Sequence, residues 1–185
     1  EDSPYSELFF DKKNTSISVK IPKNSFHLGS FSKTLVPSLR IGWIRADEQL
    51  LKTLMIIKES IDLHSCGISQ YILNEYLKDE VKYEKHLQDI RDDYEKKANF
   101  FCEQLDKYLP EFKYEKPKGG MFLYGSFEGI DSFALVQKCI EQKVVYVPGN
   151  QFYIDKIPNG EIRFNYTHSS FEQIEKGIKL IKNCL

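Results

Sequence analysis

The chain has 185 residues, of which 41% are hydrophobic and 14% aromatic, so it can bury a core and is not a disordered chain. Its 26 Lys and Arg residues nearly balance 27 Asp and Glu residues, and the net charge of -1 excludes the basic excess that nucleic-acid binding requires. The longest apolar run, at residues 54–57, is too short to cross a membrane. No cationic start followed by an apolar stretch is present, so a retained signal peptide is not expected. Because the sequence opens on Glu1 without an initiator Met, in residues typical of a strand that enters a turn, we interpret it as part of a larger protein.

The cysteines and histidines do not indicate a metal site. No Cys-x-x-Cys pair occurs, although zinc and redox sites usually take their thiolates from such pairs, and the histidines are not at metal-ligand spacing. We therefore expect reduced, mostly buried thiols in a cytoplasmic protein. The cysteines are Cys66, Cys102, Cys139 and Cys184.

The first part of the chain has the pattern of an α/β domain. Strands are predicted at residues 26–29 and 39–45, with a turn at Pro37 and Ser38 between them. Asp47 is a predicted N-cap. The apolar positions of the helix that it opens are Leu50, Leu51, Leu54 and Ile57. A further helix is predicted at residues 68–77.

Residues 81–108 form one long predicted helix. Apolar residues recur there at intervals of three and four, which produces a continuous stripe, and Pro110 ends the helix. A stripe of this length usually packs on its own domain, and a coiled coil is the alternative.

The remaining sequence alternates predicted strands and helices. Strands are expected at 111–115, 121–127, 144–147 and 161–166. Asp131 is expected to cap a helix with Phe133, Val136 and Ile140 on one face. A capping box of Ser169 and Glu172 is expected to open the last helix. The inward residues predicted for that helix are Phe171, Ile174, Ile178 and Ile181.

The segment 29–42 is the part of the sequence that most clearly indicates chemistry. Lys33 stands between hydroxyl residues, seven positions before Arg40 at the start of a predicted strand. A lysine held in a partly buried turn can attack a carbonyl as an amine nucleophile, whereas most lysines are simply solvated. Arg40 and Arg163 lie in apolar strand sequence of a chain with only four arginines, so each is a candidate fork for an anion. The alternative is that both reach solvent at strand ends.

Three ordered motifs resemble one enzyme family. They are Ser30-x-Ser32-Lys33 followed by Pro37-x-x-Arg40-x-Gly42, Asp2-x-Pro4-Tyr5, and Glu161-Ile162-Arg163-Phe164-Asn165-Tyr166. Gly119-Gly120-Met121-Phe122 and Tyr146-Val147-Pro148-Gly149 lie between these motifs in the expected order. Together they resemble the fold-type-I pyridoxal-phosphate (PLP) aminotransferases, in the branch of kynurenine and 2-aminoadipate aminotransferases. The effector domains of GntR/MocR-type regulators belong to the same branch.

The resemblance covers the whole chain and implies an α/β fold. It identifies the sequence as the C-terminal part of a fold-type-I PLP-dependent transferase. Residues 1–79 would be a remnant of the large PLP-binding α/β domain. Residues 80–185 would be the long helix plus a small C-terminal α+β domain.

The resemblance also implies which residues hold and use the cofactor. Lys33 would form the internal aldimine with pyridoxal 5'-phosphate and then move the proton between the substrate Cα and the cofactor. Asp2 would keep the pyridine nitrogen protonated, and Tyr5 would bind the phenolic oxygen. Taken alone, Asp2 and Tyr5 are more typical of a plain turn.

Four further residues have implied binding roles. Ser30 and Arg40 would hold the phosphate, with Ser32 near it. Arg163 would bind the α-carboxylate of the amino-acid substrate.

Two functions remain open at this point. The chain is part of an aminotransferase that exchanges the amino group between an amino acid and a 2-oxo acid, or part of a PLP-binding MocR-type regulator. Pro37-Ser38-Leu39-Arg40 resembles the regulators, whereas Arg163-Phe164-Asn165-Tyr166 and Asp62-Leu63-His64-Ser65 resemble the enzymes. Nucleic-acid binding is expected only if a winged-helix domain precedes this sequence. In either case we expect a homodimer for the full-length protein and no turnover by these 185 residues alone.

Overall fold

The computed structural model describes residues 1–155, 157 and 159–185. The chain divides into two compact units, Glu1–Arg91 and Asp92–Leu185, and the boundary between them falls within a long helix. The described helices are α1 (Glu48–Ile61), α2 (Gly67–Leu77), α3 (Glu80–Tyr108), α4 (Ser132–Glu141) and α5 (Phe171–Cys184). The described strands are β1 (His27–Ser30), β2 (Gly42–Arg45), β3 (Lys113–Tyr114), β4 (Phe122–Ser126), β5 (Val147–Pro148) and β6 (Glu161–Asn165). The domain boundary after residue 79 stays a prediction.

The first unit is organised around an antiparallel pair of strands. β1 and β2 pair in a register that places Ser30 opposite Gly42. The predicted strand from residue 39 is wrong over its first three residues. Pro37 opens a 3-10 turn that extends to Leu39, and Arg40 closes that turn in the left-handed region at φ 53°. The strand therefore begins only at Gly42.

Helix α1 begins where the sequence predicts. The Asp47 carboxylate accepts the backbone N–H of Gln49 at 3.0 Å, which satisfies one of the free N–H groups of the first turn. No residue of α1 is buried, however, and Ile56 and Ile61 are 69% and 76% exposed. The first unit therefore leaves a broad apolar surface on α1 uncovered within this chain.

The second unit packs a four-stranded antiparallel sheet against helices. The strand order is β3-β4-β6-β5. Its core combines the C-terminal half of α3 with the buried faces of β4, β6 and α5. The largest fully buried side chains there include Leu105, Leu123, Ile162, Tyr166 and Ile178.

Helix α5 is capped one residue later than predicted. The Ser170 hydroxyl accepts the Gln173 N–H at 3.2 Å, and the Gln173 side chain accepts the Ser170 N–H at 2.9 Å. The capping box is thus Ser170 with Gln173, and the prediction of Ser169 with Glu172 is wrong. The one-residue shift places Phe171 at the first helical position, where it is 44% exposed and is not part of the buried face.

Helix α4 is capped as predicted. Asp131 accepts the N–H groups of Phe133 and Ala134. Phe133 and Ile140 are 46% and 51% exposed, whereas Val136 is buried. The buried stripe of α4 consists of Ser132, Leu135, Val136 and Cys139.

No helix among the described residues is long and apolar enough to span a membrane.

Candidate functional site

Lys33 lies in a closed loop between β1 and β2. The pairing of Ser30 with Gly42 closes the base of the loop, and the Phe31 N–H donates to the Ile41 carbonyl at 3.2 Å just beyond it. One loop with a fixed base therefore contains the residues of the Lys33 motif, with Ser30 at the end of β1 and Ser32, Lys33 and Arg40 beyond it. Ser30 ends β1, and its hydroxyl oxygen accepts the Ser32 N–H at 3.1 Å.

The structure brings Tyr5 to Lys33. The Nζ atom of Lys33 lies 5.9 Å from the centroid of the Tyr5 ring, within the range of a cation–π contact. Lys33 and Tyr5 are both half-buried. Two predicted cofactor residues that are far apart in sequence are therefore neighbours in the fold.

Asp2 is attached to the edge of β1. It forms a parallel bridge with Leu28, and the adjacent Ser3 N–H donates to the Leu28 carbonyl at 3.0 Å. Backbone pairing therefore positions the Asp2 carboxylate, which is exposed, beside the strand that leads to Lys33.

Two side chains of α3 anchor the segments that contain Tyr5 and Lys33. Arg91 is buried, and its Nε donates to the Glu7 carbonyl at 2.8 Å, two residues after Tyr5. His86 Nε2 donates to the carbonyl of Thr34 at 2.9 Å, the residue after Lys33. Neither anchor is predictable from the sequence, since each is a contact between distant segments that has no local pattern.

The base of the loop is also packed against the single tryptophan. Trp43 opposes Gly29 across the strand pair, and a Cβ at Gly29 would overlap the indole ring. The Trp43 ring meets the His27 ring edge-on with centroids 4.9 Å apart. Position 29 therefore has to be glycine for the indole to lie across β1.

Arg40 does not begin a strand as the sequence predicted. It is exposed, and its guanidinium donates to the Pro37 carbonyl at 3.3 Å. The left-handed conformation of Arg40 turns the chain into β2. The guanidinium consequently remains accessible at the edge of the loop.

The groups on this loop fit a phosphorylated aldehyde. Residues 31–41 contain two cations, Lys33 and Arg40, and no carboxylate. Hydroxyl groups and a guanidinium are the donors that a phosphate accepts, and a primary amine is the nucleophile that an aldehyde requires. The chemistry of the loop therefore matches PLP.

Arg163 belongs to the second unit, on β6. The Cζ of its guanidinium lies 4.4 Å from the ring centroid of Phe122 and 4.8 Å from that of Phe152. Its Nε atom is buried and has no hydrogen-bond partner among the residues that the structure describes. Sequence reasoning missed the ring of Phe152, and no local pattern indicates it.

Comparison with known proteins identifies the family. Residues 2–181 match the family described as aminotransferase class I and II. The chain belongs to this family.

Proteins of both expected classes, aminotransferases and transcriptional regulators, are similar to this chain in sequence. Aromatic-amino-acid aminotransferase 1 of Thermococcus litoralis is 34% identical over 184 residues, which cover 97% of this chain and 44% of the relative. An uncharacterized HTH-type transcriptional regulator of Bacillus subtilis, YisV, is 29% identical over 97% of this chain and 37% of its own length. This chain thus spans less than half of either curated relative.

A solved aminotransferase has the same fold. LysN, the alpha-aminoadipate aminotransferase of Thermus thermophilus complexed with N-(5'-phosphopyridoxyl)-L-leucine, superposes with a TM-score of 0.90 at 29% identity. The match covers 100% of this chain and 49% of LysN. The predicted fold class, the C-terminal part of a fold-type-I aminotransferase with α/β architecture, is confirmed.

Proposed function

We propose that the protein containing this aminotransferase-family chain is a PLP-dependent transaminase that exchanges an amino group between an amino acid and a 2-oxo acid. The observation that supports this most directly is the closed, carboxylate-free loop 31–41, which places the Lys33 amine beside Tyr5. When bound, PLP would supply an electron sink for the carbanion at the amino-acid Cα.

The side chains of the first unit have separate roles in this proposal. The Lys33 amine would hold PLP at its aldehyde carbon and, once freed from it, would move a proton at the substrate Cα. Asp2 accepts the pyridinium N–H, and Tyr5 donates its hydroxyl to the phenolic oxygen. The hydroxyls of Ser30 and Ser32 and the Arg40 guanidinium bind the phosphate.

Arg163 binds the α-carboxylate of the substrate in this proposal. A guanidinium presents two parallel N–H groups to a carboxylate, and its planar shape fixes the direction of the bound group. The contact is common to all α-amino acids and therefore does not select the side chain of the substrate.

The lysine assignment is tested by chemical reduction. The full-length protein is incubated with PLP, treated with borohydride and digested, and mass spectrometry locates the added phosphopyridoxyl group. We expect the group on Lys33, its loss in Lys33→Ala, and no change in the matched exposed control Lys20→Ala. Labelling at another lysine, or none at all, contradicts the assignment.

Arg163 is tested by separating substrate binding from cofactor binding. We expect Arg163→Lys to raise the KM for the amino acid and to leave the dissociation constant of PLP unchanged, because Lys replaces the planar fork by a point charge. An equal loss of PLP affinity would contradict the substrate role.

The second candidate is a PLP-binding transcriptional regulator, which the similarity to YisV favours. The two candidates differ in turnover. An aminotransferase loaded with PLP converts it to the amino form with a suitable donor and is reset by a 2-oxo acid. The regulator would be favoured if no amino acid changed the PLP spectrum of the full-length protein. It would also be favoured if a winged-helix domain preceded this chain in the full-length protein.

We further propose that the complete protein is a cytoplasmic homodimer and that these 185 residues alone do not catalyse turnover. The exposed apolar surface of α1 supports the second statement, because it indicates that a covering part is absent. Transamination by the purified 185-residue chain at ordinary enzyme rates would contradict it. Sedimentation of the full-length protein as a monomer would contradict the dimer.

A further inference from the structure

The Arg163 guanidinium is held by aromatic faces. Phe122 and Phe152 both lie within cation–π distance of its Cζ, at 4.4 Å and 4.8 Å, and the buried Nε has no hydrogen-bond partner among the described residues. Ring contacts restrain a planar cation while leaving its N–H edge free for an incoming acceptor. The direction of that edge therefore depends on where the two rings are held.

Phe122 is fixed by its strand, whereas Phe152 is not. Phe122 begins β4 and pairs with Asn165 of β6. Phe152 ends the short 3-10 helix Gly149–Phe152 after β5, and it is 48% exposed. A half-exposed ring on a single helical turn needs another restraint to remain over the guanidinium.

Glu161 provides such a restraint. Its carboxylate accepts the Tyr153 hydroxyl at 3.1 Å and the Tyr124 hydroxyl at 2.9 Å, and it also accepts the Asn159 amide at 3.1 Å. We call these four residues, Glu161, Tyr153, Tyr124 and Asn159, the Glu161 clasp. Because Tyr153 directly follows Phe152, the clasp ties the end of the helical turn to β6.

Packing around the clasp brings the turn close to the sheet. The Tyr124 ring meets the Phe152 ring with centroids 6.1 Å apart. Position 149 has no room for a side chain, since a Cβ there would overlap Glu161 and come within 2.9 Å of the Tyr124 hydroxyl. Both ends of the turn are thus in contact with clasp residues.

The strand register links the clasp to Arg163. Glu161 and Arg163 are two residues apart on β6 and so point to the same face, and Tyr124 lies directly opposite Arg163. The hydroxyls of Tyr124 and Tyr153 both donate hydrogen bonds to the Glu161 carboxylate. The hydrogen bond to Glu161 raises the pKa of Tyr153. Burial raises the pKa of Tyr124, and Glu161 raises it further, so both hydroxyls remain donors at neutral pH.

We propose that the Glu161 clasp is a positioning device for substrate recognition: it holds Phe152 over Arg163, so that the guanidinium is oriented before the substrate carboxylate arrives. Glu161, Tyr153 and Phe152 are positioning residues that act through Arg163. The proposal rests on the proposed function of Arg163 as the carboxylate-binding residue. A preoriented guanidinium strengthens substrate binding because less motion has to be frozen on binding.

The test compares KM with kcat in the full-length PLP-loaded protein, with one amino-acid donor. Tyr153→Phe releases the turn from Glu161, and Phe152→Leu removes one of the two ring contacts of the guanidinium while retaining apolar bulk. Each is expected to raise KM by about 3- to 10-fold with kcat and the PLP dissociation constant nearly unchanged. Phe152→Tyr retains a ring at this position and is expected, unlike Phe152→Leu, to have the same KM as the unmodified protein.

Tyr114→Phe is the matched control. It also removes a tyrosine hydroxyl that donates to a carboxylate, here Asp106 at 2.8 Å. Neither residue belongs to the clasp or contacts the Arg163 guanidinium through an aromatic ring. The control is therefore expected to leave KM unchanged even if it lowers the melting temperature.

The outcomes separate the proposal from the function on which it rests. If Arg163→Lys raises KM but Tyr153→Phe and Phe152→Leu do not, the clasp proposal is overturned and the proposed function stands. If Tyr114→Phe raises KM as much as Tyr153→Phe, the effect is one of general stability and the proposal is overturned. If Arg163→Lys leaves KM unchanged, or no donor is turned over, the proposed function fails and the clasp proposal fails with it.

Discussion

Arg91 is the residue whose replacement should most clearly loosen the Tyr5 segment. Its side chain is only 6% exposed, and it donates to the Glu7 carbonyl at 2.8 Å and to Glu84 Oε1 at 2.7 Å. Its Cζ lies 4.2 Å from the Phe9 ring centroid. Arg91→Met retains an apolar stem in this place but removes the donors and the charge.

The expected cost follows from these contacts. A charge-assisted hydrogen bond to a carbonyl contributes about 1.5 to 3 kcal/mol. Glu84 is 64% exposed, so that ion pair adds at most about 1 kcal/mol. The contact with Phe9 adds about 0.5 to 1 kcal/mol. Arg91→Met should therefore destabilise the segment by about 2 to 5 kcal/mol.

Hydrogen exchange of the Leu8 amide measures this cost locally. That N–H donates to the Tyr5 carbonyl at 2.9 Å, and Leu8 is fully buried. Each 1.4 kcal/mol changes the opening equilibrium tenfold, so exchange should accelerate on the order of 30-fold or more, up to the limit set by global unfolding. Glu84→Gln, which removes only the exposed charge, should accelerate exchange by less than about 5-fold. Similar acceleration in the two variants would refute the reasoning, because it would locate the energy in the exposed pair.

Three further predictions concern cysteine reactivity, helix capping and the core. Backbone and hydroxyl donors at the start of α2 lower the pKa of exposed Cys66, whereas burial raises the pKa of Cys139 to about 12. A limiting amount of iodoacetamide at neutral pH should therefore label Cys66 before Cys139, as detected by peptide mass spectrometry. Equal labelling of the two cysteines would contradict this. Asp131→Ala should lower the free energy of unfolding of the second unit by about 1 to 2 kcal/mol in urea titration, and no loss would mean that its two N–H contacts do not stabilise α4. Leu105→Ala, at a fully buried site, should cost about 2 to 5 kcal/mol, while Met55→Ala, at a site 62% exposed, should cost less than about 1 kcal/mol; equal costs would contradict the assigned core.

Local sequence patterns predicted the helices well because their signals are local. Asp47 and Asp131 are N-caps in the structure, and Pro110 follows the end of α3, as predicted. The errors have local causes too. Adjacent Ser169 and Ser170 offer two overlapping capping boxes, and only the backbone geometry at Ser170 decides between them.

The candidate site was predictable only where residue type and order were sufficient. The Lys33 loop and its hydroxyls follow from the motif, but the conformation of Arg40 does not, because a 3-10 turn after Pro37 competes with the strand pattern. Anchors such as His86 join segments about fifty residues apart, at a carbonyl of Thr34 that has no side-chain signature. The ring of Phe152 over Arg163 is likewise a product of tertiary packing.

The position of Trp43 gives this protein a built-in optical reporter. It is the only tryptophan of the chain, and it lies across Gly29, two residues before the loop 31–41 that contains Lys33. Indole emission from this chain therefore comes from the first unit alone, whereas tyrosine emission comes from both. A chromophore bound at Lys33 would accept excitation from Trp43, so quenching of tryptophan fluorescence would record loading of the loop in real time.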